Sequence, residues 1–281
     1  MSSSSLASLI LAAASLGQVA PPAEDAGRKE QQAFLKERAA ELSLYRGTAG
    51  TEPLKLTAEP VLRYSNAERE IGSLDGLTFL WLVGQRPAAA VSLSVRRVRS
   101  EVYRECTSFS DGPLECRSGE STVWSPKTGG LLAQPLSDAP TPAAGKAQRL
   151  AQMRALARRF TARCFDSRTD EPTELRLLPQ PLYRYADEQA NILDGGLFAF
   201  VVSNDPELFL LLEAASADAT SEPSWRYSLA RMSSLRETVR LDDKEVWVAS
   251  NFYRDTKEDR KTGPYNEARV GTFMPLAAPP E

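Results

Sequence analysis

The sequence predicts an α+β protein made by internal duplication: a helix followed by an antiparallel β-sheet occurs twice, giving two pseudo-symmetric halves. Three observations predict it. The segment LDGLTFLWLVGQRPAAAVSL, residues 74–93, returns as LDGGLFAFVVSNDPELFLLL at 193–212. The strand-like PLKLTAEPVLRY before the first copy returns as ELRLLPQPLYRY before the second. A helix-patterned segment precedes each of these.

Taken in order, residues 1–23 read as an export signal and linker, because Leu6 to Leu16 is an apolar run too short to span a bilayer and small residues follow it. The first half is expected over 24–135 and the second over 136–281, with a polar C-terminal tail. Between 28 and 45, Leu35, Ala39, Leu42 and Tyr45 fall on one face of a helix. In the second half KAQRLAQMRALARRFTARCF places Leu150, Met153, Ala157, Phe160 and Cys164 on one face. Arg149, Arg154, Arg158, Arg159 and Arg163 cover much of the rest, a pattern that suits packing on its own sheet or, as an alternative, an anionic membrane.

Each hairpin is two strands about a turn at GQRP or SNDP, with Asp75-Gly76 and Asp194-Gly195 read as turn dipeptides. Further strands are expected at STVW, WRYSLARMSS, LRETVRL, KEVWVAS and RVGTFM. A Pro/Gly-rich connector fills 125–146 and a polar loop 251–263. The hairpin strands are apolar on both faces, Phe79, Trp81 and Val83 against Leu80 and Leu82, and Phe198, Phe200 and Val202 against Leu197, Ala199 and Val201. Both faces therefore need a cover, or one of them lines a cavity.

Composition removes several functions. The chain has 281 residues, a net charge of -3 and no histidine, so imidazole-dependent hydrolysis and His-ligated zinc are excluded. There is no Lys/Arg excess for a nucleic acid, and RRVR at 96–99 does not change that. Arg86 and Pro87, and Asp205 and Pro206, interrupt the segments that could otherwise be transmembrane. No metal-ligand spacing and no cofactor motif is present.

Among candidate residues, Asp75 and Asp194 are the acidic pair repeated at matched positions, which glycoside hydrolysis would require, although the turn reading is favoured. Arg63-Tyr64 and Arg184-Tyr185 are duplicated as well. They could bind a ligand by bidentate hydrogen bonds and stacking, together with Trp81 and Phe200, or each arginine could pair with the aspartate of its own repeat. The tryptophans Trp81, Trp124, Trp225 and Trp247 lie in strand-like runs, where core packing is expected. Ser121, Ser125 and Lys127 lack the helical Ser-x-x-Lys setting of Ser-Lys enzymes. Cys106 and Cys116 flank an Asp-Gly-Pro turn and could form a disulfide across it, while Cys164 is expected to be a buried small apolar residue.

Taken together, PLKLTAEPVLRYSN, DGLTFLW, QMRALARRF, LRLLPQPLYRY, DGGLFAFV, LARMSS and KEVW resemble an uncharacterised family of exported proteins from planctomycete-type bacteria, over roughly 28–250. The resemblance implies export and one shared architecture, and carries no catalytic residue. The expected function is an exported, non-enzymatic binding or scaffold protein for an apolar or sugar-like small molecule, a glycan or a protein partner. The alternative is a carboxylate-dependent hydrolase of an extracellular polymer.

Overall fold

The structure, a computed structural model, describes residues 23–47, 50–66, 68, 73–218, 220–255 and 260–275. The expected leader therefore lies outside the described residues, apart from its last position.

The first half runs α1 (Ala23–Ala40), β1 (Leu42–Arg46), β2 (Glu52–Pro53), β3 (Lys55–Leu56), β4 (Leu62–Tyr64), β5 (Ser73–Val83), β6 (Arg86–Arg96), β7 (Glu101–Ser108), β8 (Leu114–Ser118) and β9 (Ser121–Trp124). The connector contributes β10 (Gln134–Pro135). The second half runs α2 (Lys146–Ala157), β11 (Phe160–Phe165), β12 (Pro172–Leu177), β13 (Tyr183–Asp187), β14 (Ile192–Val202), β15 (Asp205–Ala215), β16 (Ser224–Arg231), β17 (Arg236–Leu241), β18 (Lys244–Ala249), the short α3 (Phe252–Asp255) and β19 (Tyr265–Thr272).

This is a β-rich fold rather than the expected α+β class: strands dominate, and the helices among the described residues have 18, 12 and 4 residues. The expectation failed at the same place in each half. The helix pattern stops at Ala40 and at Ala157, and the apolar residues that seemed to extend it form β1 and β11. Phe160 and Cys164 are four apart, a spacing that shares one face in a helix and in a strand alike. Burial decides between them, since Phe160, Ala162 and Cys164 are buried while Thr161 and Arg163 are exposed.

The duplication is visible in the ladders. In half 1 the order is β2-β1-β8-β9 in one sheet and β19-β7-β6-β5-β3 in another, with β4 also on β5. In half 2 one sheet runs β10-β16-β15-β14-β12-β11-β17-β18, with β13 on β14. The long hairpins β5-β6 and β14-β15 even share their irregularities, with bulges between Ser73/Asp75 and Trp81/Leu82 in one and between Ile192/Asp194 and Phe200/Val201 in the other. The C-terminal β19 returns to pair with β7 of the first half, and the connector's β10 takes the corresponding edge beside β16.

Three apolar clusters hold this together. One packs Leu35 and Ala39 of α1 against Leu77, Phe79 and Trp81 of β5. A second packs Met153, Leu156 and Ala157 of α2 against Phe198 and Phe200 of β14. The third joins the halves, with Leu80, Leu82, Ala90 and Phe109 meeting Leu197, Ala199, Val201, Phe209, Leu211 and Met232. Thus the second apolar face of each hairpin is covered by the second face of the other.

Candidate functional site

The repeated Arg-Tyr and Asp-Gly residues form one structural unit, used twice. Alternation along the strands sends Arg and Asp to the helix side and Tyr and Gly to the opposite side. In half 1 Arg63 donates to Asp75 from Nε at 3.3 Å and Nη2 at 3.1 Å, and Gln32 of α1 donates at 3.1 Å. In half 2 Arg184 donates to Asp194 from Nε at 2.8 Å and Nη2 at 2.6 Å, and Arg149 of α2 replaces the glutamine with a bond at 2.8 Å. Arg149 also donates to the carbonyls of Ala143 and Ala144. Each aspartate therefore fastens its helix to its sheet. Neither lies in a turn, contrary to the Asp-Gly expectation: both sit inside a strand beside a bulge, and the hairpin tips are at Gly84 and Ser203, each with a left-handed backbone.

The glycines are there for the tyrosines. Tyr64 is paired with Gly76 and Tyr185 with Gly195, and a methyl group on either glycine would fall 2.3 Å or 2.6 Å from the facing ring. Both rings are buried. Trp81 and Phe200 are buried in the cores of their own halves, as are Trp124 and Trp225, with Trp247 packed at the edge. The six residues considered for binding, Arg63, Tyr64, Trp81, Arg184, Tyr185 and Phe200, thus build the fold and do not converge on one opening.

Where the two copies differ, the structure is more informative. The tip of the first hairpin reaches the base of the second: Arg86 donates to Glu213 at 3.0 Å, Arg226 donates to it at 2.9 Å, and the Tyr185 hydroxyl donates at 2.7 Å. Burial pushes the Glu213 carboxyl up, but Arg86 and Arg226 outweigh burial and hold it below the usual range. The matching position to Glu213 in the first copy is Ser94, and that to Arg86 in the second is Asp205, which accepts from Asn66 at 3.2 Å.

Beside the Arg86 node, a cleft of about 370 Å³ opens between the halves. Half 1 contributes Arg46, Arg86, Ser110 and Asp111, and half 2 contributes Asp187 and Gln189, over a floor that includes Pro87, Ala88 and Phe109. Arg46 and Asp111 face each other at 3.6 Å on exposed side chains. The volume suits a small ligand, and guanidinium, carboxylate, amide and hydroxyl groups above an apolar floor suit one rich in hydrogen-bonding groups.

Midway along β7, Glu105 stands directly opposite Glu267 of β19. Like charges so placed repel. Glu267 is ion-paired with Arg96, and the Tyr265 hydroxyl donates to Glu105 at 2.6 Å. Although part of Glu105 reaches solvent, its carboxyl is withdrawn from water; burial first, then Glu267 and Asp205, hold its pKa well above the ordinary value. The stabilisation from its retained proton is full below the unfolded value of about 4.3 and is lost as pH rises through the raised folded value. Glu105→Gln should therefore gain stability relative to the parent as pH is raised from 4 to 8, read as the difference in melting temperature. A pH-independent difference would refute the raised value.

The sequence reasoning missed Arg86, Glu213, Arg46, Asp111, Asp187 and Gln189. It weighed positions that match between copies, whereas the charged groups of the cleft lie at mismatches. A glutamate in the otherwise apolar LFLLLEAA run was the available signal. The cysteines also differ from expectation, because Cys106 and Cys116 lie in different sheets rather than across a hairpin, and the structure holds them as free buried thiols. Among the described residues no acid or cysteine cluster is arranged to hold a metal, and no helix is long and apolar enough to cross a membrane.

These features define a duplicated, β-rich, two-half protein with a polar cleft at the seam. No protein family, curated protein or solved structure matches the chain.

Proposed function

We propose that this protein is an exported, non-enzymatic binding protein that holds a small, polar, sugar-like ligand in the cleft between its halves. The observation that carries the reading is the cleft itself, with both signs of charge and neutral hydrogen-bonding groups drawn from both halves. Export is proposed on the short apolar run from Leu6 to Leu16 and the small residues that follow it. The second hairpin faces pack on each other, which favours the polar cleft over an apolar site between them. The hydrolase alternative loses support at Asp75, held by the Arg63 guanidinium and the Gln32 amide, and at Asp194, held by the Arg149 and Arg184 guanidiniums, since each aspartate is fastened to a different helix.

Isothermal titration of the purified protein against a panel of mono- and oligosaccharides tests the reading. At least one sugar should bind saturably, and the double variant Asp111→Ala, Gln189→Ala should weaken it tenfold or more. Arg63→Ala, outside the cleft, should leave the affinity unchanged. Absence of binding across the panel, or loss of binding in Arg63→Ala alone, would contradict the proposal.

A further inference from the structure

The charges around the cleft are unevenly satisfied. Arg86 gives both Nε and Nη2 to Glu213, at 3.0 and 3.5 Å, and Arg226 gives Nε to the same carboxylate at 2.9 Å. The Tyr185 hydroxyl adds a neutral donor at 2.7 Å. Glu213 therefore stands as one carboxylate between two guanidiniums, and one positive charge is left over.

That surplus borders the cleft. The Arg86 side chain is only 22 % exposed, it lines the cleft, and its Nη1 makes no hydrogen bond among the described residues. With Glu213 on the Nε side of the fork, the end formed by Nη1 and Nη2 still carries a parallel pair of N–H groups. A guanidinium partly withdrawn from water attracts an anion more strongly than an exposed one, because the local dielectric is lower. Arg46 lines the same cleft, and its carboxylate partner Asp111 lies at 3.6 Å, with 42 % and 76 % of the two side chains exposed. A pair so long and so exposed is held loosely, so Arg46 can turn to an incoming anion.

The second half supplies a different chemistry. Asp187 accepts the Ala190 N–H at 3.2 Å and has no ion pair among the described residues, and the exposed amide of Gln189 lies beside it. These groups suit hydroxyls, which donate to a carboxylate and exchange bonds with an amide. Asp187 and Asp111 also set a limit, since two carboxylates in the lining oppose a ligand with two negative charges. The matched positions in the other copy have no such arrangement. Where one seam has Arg86, Glu213 and Arg226, the ladders place Asp205, Ser94 and Tyr103, none of them a cation.

We propose that the ligand of the cleft is an acidic sugar of the uronic type, with its single carboxylate on Arg86 and Arg46 and its ring hydroxyls on Asp187 and Gln189. This deepens the cleft reading and rests on it. A planar carboxylate matches the parallel N–H pair of Arg86, and the C–H face of the ring lies against the apolar floor at Pro87 and Ala88. Salt weakens the attraction at Arg46, the more exposed of the two guanidiniums.

The test is isothermal titration at low salt with glucuronate and galacturonate, each beside its uncharged methyl ester, and with glucosamine and inorganic phosphate as the cationic and dianionic probes. At least one uronate should bind about tenfold or more tightly than its methyl ester, and Arg46→Gln should cut that ratio to about threefold or less. Arg163→Gln, an exposed arginine of β11 outside the cleft, should keep the ratio. A methyl ester or neutral sugar that binds as tightly as either uronate, or tighter binding of glucosamine or phosphate, would overturn the acidic-sugar assignment and leave the cleft reading standing. A ratio unchanged in Arg46→Gln would overturn the placement of the carboxylate. Absence of binding by every sugar, acidic or neutral, would overturn both.

Discussion

Asp194→Ala is expected to destabilise the protein by about 3–5 kcal/mol, the cost of removing one member of a buried ion pair. Asp194 is almost wholly buried, and it alone faces both Arg149, with 8 % of its side chain exposed, and Arg184, with 21 %. Its loss strands the Arg149 guanidinium in the core, held only by the carbonyls of Ala143 and Ala144. The matched change, Asp75→Ala, should cost only about 1–2 kcal/mol, because Arg63 can turn to solvent and Gln32 is neutral. Arg63 already has 49 % of its side chain exposed. Urea unfolding of the two variants checks this. Equal losses, or a loss below 1 kcal/mol for Asp194→Ala, would show that the clamp does not fasten α2 to its sheet.

Phe209→Ala should have an effect of similar size, about 3–5 kcal/mol, through lost burial and the cavity left behind. Phe209 is fully buried in the cluster between the halves and meets Phe109 edge-on at 5.5 Å. Because the second faces of both hairpins depend on that contact, the variant should also expose apolar surface, seen as increased binding of a hydrophobic dye. A loss under 1 kcal/mol would mean that the halves are held mainly elsewhere.

Much of the architecture could be read from repeats. The two hairpins, the strands before them, the order of elements and the Arg-Asp pairing within each copy follow from residues that recur together and alternate with period two. The strands β1 and β11 were not legible, because LSLY and FTARC carry spacings that a helix shares, and only alternating burial against a sheet partner separates the two. The Asp-Gly dipeptides misled for a related reason. A glycine needed in a turn and a glycine needed beneath a tyrosine ring look the same in sequence, and only the facing Tyr64 and Tyr185 distinguish them.

The cleft was the least legible part. It assembles Arg46, Asp111, Asp187 and Gln189 from strand ends and loops of both halves, and no local pattern announces how the halves face each other. The pseudo-symmetric packing sets the tip of each hairpin at the base of the other, so that Arg86 meets Glu213 and Asp205 meets Asn66. A long-range arrangement of this kind appears in sequence only as unmatched charges within otherwise matched copies. The same divergence separates the compensated node at Glu213 from the acidic face formed by Glu105, Glu267 and Asp205. There burial, then Asp205 and Glu105, also raise the Tyr64 phenol.

The packing of the two second faces against each other, which places the cleft at the seam, is tested most directly by a double-mutant cycle on Phe109 of the first half and Phe209 of the second. Unfolding free energies of the parent, Phe109→Ala, Phe209→Ala and the double variant should give a coupling of about 0.5–1.5 kcal/mol, as expected for an edge-on aromatic pair in a shared core. Strictly additive losses would contradict the back-to-back packing of the halves.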